Sequence, residues 1–175
     1  MIRVRGAGLV VLAVAWLSMA AAARGEVITI DPSIYPNGTE LTDISPHATL
    51  LVESGVYPDA VVVASSVGFG YQITPGGGSG LDWTWPDTGV ERVLRVELDT
   101  PTDMVSIRIT GGYGGELRAY DADGHFLGSD EAPNYILTTL TVNRPVPDIA
   151  YVLAAGDDTA WSNGSRITML NFEAV

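Results

Sequence analysis

The stretch "VLRVELDTPTDMVSIRIT", residues 93–110, decides the fold class. In its first half Leu94, Val96 and Leu98 alternate with Val93, Arg95 and Glu97. In its second half Val105, Ile107 and Ile109 alternate with Ser106, Arg108 and Thr110. A period of two places one set of side chains on each face of a strand, and one apolar face marks a half-buried antiparallel sheet. Between the halves, "DTPTD" supplies turn residues.

Outward from this pair the pattern repeats. Further candidate strands are 26–31 "EVITID", 48–53 "ATLLVE", 60–65 "AVVVAS", 115–121 "GELRAYD" and 125–129 "HFLGS". Then come 136–143 "ILTTLTVN", 149–154 "IAYVLA" and 166–174 "RITMLNFEA". Most are short, rich in Val, Ile, Thr and Tyr, and bounded by Gly, Pro, Asn or Asp. In "ITMLNF", Ile167, Met169 and Asn171 oppose Thr168, Leu170 and Phe172, so this strand reads as less one-sided. No long helical period follows residue 25. Some ten short strands with regular turn signals predict an all-β, single antiparallel sandwich or barrel. The link 74–90, "TPGGGSGLDWTWPDTGV", is the one long irregular stretch, and loops of that length are often functional.

The first 25 residues read differently. Arg3 and Arg5 precede the apolar run 7–23, "AGLVVLAVAWLSMAAAA". Small residues close the run and suit cleavage before Arg24 or before Glu26, the pattern of a signal peptide. We therefore expect a signal peptide at 1–25 and one domain at 26–175, exported to the periplasm or beyond, with no membrane span in the mature chain. A domain of 150 residues buries roughly 70% of its unfolded surface. It keeps six arginines against 21 acids and has no lysine. Such a charge repels nucleic acid, whose binding needs phosphate neutralisation. The chain has no cysteine, which excludes thiol catalysis, zinc–thiolate sites and iron–sulfur clusters.

"YDADGHFLG", residues 120–128, has the start of a calcium loop. Asp121 and Asp123 stand two apart, but His125, Phe126 and Ala132 occupy positions 5, 6 and 12, where an EF-hand needs an oxygen ligand, Gly and Glu. A hairpin turn accounts for every residue: Asp121 accepts backbone bonds and Gly124 takes a left-handed conformation. Asp121 and Asp123 remain the candidate metal ligands. No cofactor is expected; calcium at this stretch is the exception the sequence leaves open.

Two segments resemble β-sandwich proteins exported by bacteria, many with a PEP-CTERM sorting tail. One is "YPNGTELTDISPHATLLVESG", 35–55, where Gly38, Thr39, Leu41 and Thr42 fit. The other runs from "VLRVELDTPTDMVSIRI" through "LRAYDADGHFLGS" to "IAYVLAAGDD" and "ITMLNFEAV". The resemblance implies a jelly-roll-like sandwich and a non-catalytic module; similar sandwiches serve as carbohydrate-binding modules. No Pro-Glu-Pro tail follows Val175, so tail-directed anchoring is not expected. Thr168 stands where some such modules place a calcium-binding Asp.

Catalytic signals are sparse. His47 and His125 are the two histidines, and no Gly-x-Ser-x-Gly elbow accompanies them. Pairs of acids could serve a glycosidase, but 21 acids make pairs uninformative. The aromatics say more. Trp83 and Trp85 flank Thr84 in the long link, so an extended backbone places both indoles on one side. Trp161 lies in "DDTAWSNGS", and Tyr71 and Tyr113 lie near glycine-rich turns. Trp83, Trp85, Trp161 and Tyr113 are the candidate sugar-stacking residues; the bland reading is that they plug the ends of the sandwich. The expected function is an exported, non-catalytic binding or structural module of the envelope or extracellular matrix, with envelope components or extracellular polysaccharide as partners. The alternative is a carbohydrate-active protein, either a carbohydrate-binding module or a small glycoside hydrolase.

Overall fold

The computed structural model describes residues 25–53, 59–73, 93–110, 114–133, 137–155 and 166–174. Eleven strands are present among them: β1 Glu26–Ile30, β2 Ala48–Glu53, β3 Ala60–Ser65, β4 Gly68–Ile73, β5 Val93–Thr102 and β6 Met104–Thr110. The rest are β7 Gly115–Tyr120, β8 Phe126–Ala132, β9 Thr138–Asn143, β10 Ile149–Ala155 and β11 Arg166–Ala174. One 3₁₀ turn, Pro32–Ile34, is capped by Asp31, whose carboxylate accepts the Ser33 N–H at 2.8 Å.

Two antiparallel sheets form the sandwich. One has the order β1-β11-β6-β9 and the other β2-β5-β10-β7-β8. From β5 through β11, every step changes sheet except β7 to β8. That alternation is the jelly-roll arrangement the sequence led us to expect. The β3–β4 hairpin is an addition, tied to the 38–41 segment by Gly38 N–H to Ala64 O and Leu41 N–H to Val62 O.

The alternation in 93–110 holds. Leu94, Val96, Leu98, Val105, Ile107 and Ile109 are all buried, while Arg108 and Glu97 are exposed. They meet Leu50, Leu117, Val152, Leu170 and Phe172 in one core. Removing a side chain such as Ile107 costs about 2–5 kcal/mol.

The reading of β11 needs correction. Ile167, Leu170 and Phe172 are all buried, although strict alternation puts Ile167 opposite the other two. The β6–β11 register shifts between Ile167 and Met169. A bulge inserts one residue, so the apolar phase changes halfway along the strand.

β4 also departs from the sequence reading, which placed no strand at "GFGYQI". Its glycines discourage a strand assignment, yet Gly68 serves packing. A β-carbon there would fall 2.3 Å from the Ile167 carbonyl oxygen, at a φ of +135°. Only glycine admits so close an approach. Tyr71 is 3% exposed, so it is a core residue and offers no sugar platform.

Candidate functional site

β7 and β8 form the one hairpin whose two strands are consecutive members of the five-stranded sheet. Its tip is the 121–124 turn. The Gly124 N–H donates to Asp121 O and the Asp121 N–H to His125 O, each at 3.1 Å. Gly124 has a φ of +83°, the left-handed region that glycine enters without strain. Asp121 Oδ1 accepts the N–H groups of Asp123 at 2.9 Å and His125 at 2.8 Å. Its Oδ2 lies 2.9 Å from His125 Nδ1.

The turn reading of "YDADGHFLG" therefore holds. Leu117 is buried on one arm, and Leu127 packs against the core from the other. The backbone bond from His125, more than any other cause, lowers the Asp121 pKa below the ordinary carboxylate range. The hydrogen bond to Asp121 raises the His125 imidazole. Ligand atoms of Asp121, Asp123 and His125 lie within 4.8 Å of one another and could surround a cation. Both Asp121 oxygens already accept bonds that shape the turn, so the cluster needs no ion to explain it.

Beside the turn, the outer face of the five-stranded sheet carries an aromatic strip. Tyr151 on β10 is the register partner of Tyr120 on β7, and Tyr120 pairs with Phe126 on β8. Strand spacing then stacks the rings: Tyr120 and Tyr151 have centroids 4.9 Å apart and planes 7° from parallel. Phe126 meets Tyr120 edge to face, 5.8 Å between centroids. On the far side, the Arg95 guanidinium lies 4.0 Å from the Tyr151 ring centroid. Each ring pair contributes about 0.5–1.5 kcal/mol beyond its buried area.

Acids hold Arg95 in place. Its Nε donates to Glu97 at 2.9 Å and its Nη1 to Glu53 at 3.1 Å. Burial alone would lower the guanidinium pKa, but the bonds to the two glutamates outweigh it. Arg118 and Glu116 form a further ion pair on β7 at 3.2 Å. Phe126 is 58% exposed, and it is the open end of the strip. The turn borders the other end, since a β-carbon on Gly124 would stand 3.6 Å from the Tyr151 hydroxyl.

The strip is not among the residues the sequence singles out. Trp83, Trp85, Trp161 and Tyr113 lie outside the described residues. Tyr120 and Tyr151 are 31 positions apart in sequence, and only the β7–β10 register brings them together. An outward aromatic in each of "ELRAY" and "IAYVLA" was the available signal.

No protein-family model matches the chain, and no curated protein does. Among solved structures it is similar to CBM29_1, a family 29 carbohydrate binding module from Piromyces equi. The identity is 7%, the TM-score 0.44, and the match covers 85% of this chain and 91% of that one. A mutant of CBM29-2, also a family 29 module, matches at 6% identity and a TM-score of 0.37, over 85% and 88% of the two chains.

Proposed function

We propose that this domain is a non-catalytic binding module that docks carbohydrate on the outer face of its five-stranded sheet. The observation that supports this reading is the strip Tyr151–Tyr120–Phe126, open at Phe126 and flanked by fixed charges. A sugar ring presents a C–H face and a rim of hydroxyls. The exposed Phe126 ring suits the first. Tyrosine hydroxyls and the carboxylates of Glu97 and Glu53 suit the second. Arg95, already held by two acids and a ring, costs little further ordering on binding. Trp83, Trp85, Trp161 and Tyr113 are proposed as additional stacking residues.

Export belongs to the same proposal. The run at 7–23 and its small-residue end support secretion to the periplasm or the extracellular matrix. No described helix is long and apolar enough to cross a membrane. The resemblance to PEP-CTERM-type exported sandwiches favours the same compartment.

A glycan array probed with the purified protein tests the reading. Retention of at least one neutral glycan, lost in a Phe126→Ala variant that still unfolds cooperatively with its melting temperature lowered by only a few degrees, is the expected result. Equal retention by Phe126→Ala would remove the strip from the site. An array with no retained glycan would favour a purely structural role in the envelope or matrix.

A further inference from the structure

The outer face of the four-stranded sheet has a different chemistry. Register places Thr29, Asn171, Ser106 and Thr141 in one row across its strands. Thr29 Oγ1 donates to Asn171 Oδ1 at 2.8 Å, and Asn171 Nδ2 to Ser106 Oγ at 3.4 Å. Two residues further along β6, Arg108 pairs with Met169 on β11 and Thr139 on β9, and Arg166 pairs with Thr110.

Arg108 and Arg166 are both exposed. Three of the five described arginines, Arg95, Arg118 and Arg144, have acidic partners. Arg108 and Arg166 have none among the described residues. The fold sets them as diagonal neighbours, roughly 7–8 Å apart at the backbone, where like charges repel. The chain carries 21 acids against nine arginines, so intramolecular partners would be easy to supply. By alternation, Glu173 is the one described acid pointing outward from this face. It stands four residues along β11 from Met169, about 13 Å at strand rise. The bulge at Ile167/Met169 lies between the two arginines and re-aims the chain there.

We propose that this face is a second binding surface, for a carboxylate-bearing polysaccharide. Two planar guanidinium forks match carboxylates bidentately. The exposed Thr29 and the half-buried Asn171 and Thr141 beside them match sugar hydroxyls, while the buried Ser106 steadies the Asn171 amide. The site is independent of the aromatic strip, because it lies on the opposite outer face of the sandwich. The net charge of −12 opposes a polyanion only at long range, and salt screens that repulsion beyond ~10 Å.

The test is binding of the purified protein to immobilised polygalacturonate. Its methyl ester, which keeps the sugar ring without the charge, and dextran sulfate run beside it. We expect binding to polygalacturonate but not to the ester. The Arg108→Gln/Arg166→Gln variant should bind roughly tenfold more weakly or worse, since two charge-assisted contacts are lost. Should the glutamine pair lower the melting temperature, Arg108→Lys/Arg166→Lys keeps the charge and should bind with intermediate affinity. The proposal fails if polygalacturonate is not bound, if the ester binds equally, or if the glutamine pair leaves binding unchanged. It also fails if dextran sulfate is bound in preference.

Discussion

The two outer faces of this sandwich stand on the same core yet resolve their charges in opposite ways. On the five-stranded sheet, Arg95 is held by Glu53, Glu97 and the Tyr151 ring, and Arg118 by Glu116. On the four-stranded sheet, Arg108 and Arg166 stand side by side among hydroxyls with no described acid against them. The first face is pre-ordered from within and presents an aromatic edge. The second leaves two guanidinium groups without an acidic partner among the described residues. A jelly roll offers both faces to solvent, and side-chain chemistry alone distinguishes them.

The largest effect should come from the pre-ordered face. Tyr151→Ala removes the ring between Arg95 and Tyr120, so both neighbours lose a stacked partner. For a half-buried aromatic we expect a cost of about 3 kcal/mol, at the low end for aromatic truncation. Chemical denaturation measures it. A loss under about 0.5 kcal/mol, the size of an ordinary surface change, would show that the strip is not a structural unit.

Gly124→Val strains the turn beside that strip. Valine at a φ of +83° should cost about 2 kcal/mol, and its side chain would approach the Tyr151 hydroxyl. Asp121→Asn should cost much less, because its amide oxygen can still accept the N–H groups of Asp123 and His125. Melting curves with calcium and with chelator check both. A calcium-dependent rise abolished by Asp121→Asn would make the turn a metal site and overturn our reading.

On the hydroxyl face the expected effects are smaller. Asn171→Ala breaks the bonds to Thr29 and Ser106 and should cost about 1 kcal/mol. A cost equal to that of Tyr151→Ala would mean that the two faces are ordered alike, and the comparison would collapse.

Much of the scaffold was legible because strand period and turn chemistry are local. "VLRVEL" and "VSIRIT" reveal their buried faces by alternation, and "DADG" reveals its turn by side-chain chemistry. β4 was illegible for a physical reason: Gly68 is there for β11, far away in sequence, and in isolation reads as a breaker. The phase change in β11 was hidden in the same way, since a bulge leaves no fixed residue signature. The aromatic strip and the arginine pair depend on register between strands distant in sequence. The sequence pointed instead to the tryptophans, which lie outside the described residues.

The smallest effect concerns pH, and it falls on the turn that borders the pre-ordered face. His125 is bonded to Asp121, and its imidazole pKa is raised. Stabilisation from protonated His125 is therefore full below the ordinary imidazole value, about 6.5, and disappears as pH rises through the raised value. The Asp121 pKa is lowered, chiefly by the His125 backbone N–H. Its stabilisation is full above the ordinary aspartate value, about 3.9, and disappears as pH falls through the lowered one. The pair contributes most between those two limits, in mildly acidic solution. His125 has a side chain 75% exposed, so salt should weaken the contribution further. The measurement is the melting-temperature difference between the unmodified protein and His125→Gln across pH. We expect a difference of a degree or two, greatest near pH 5 to 6 and vanishing in alkaline solution. Asp121→Asn in the same background should add no further pH dependence above the ordinary aspartate value, and below it should remove the acid limb that the backbone N–H groups of His125 and Asp123 still sustain. A difference that stays flat across pH would show that His125 acts only through its backbone N–H, leaving the turn's stability to Asp121 and Gly124.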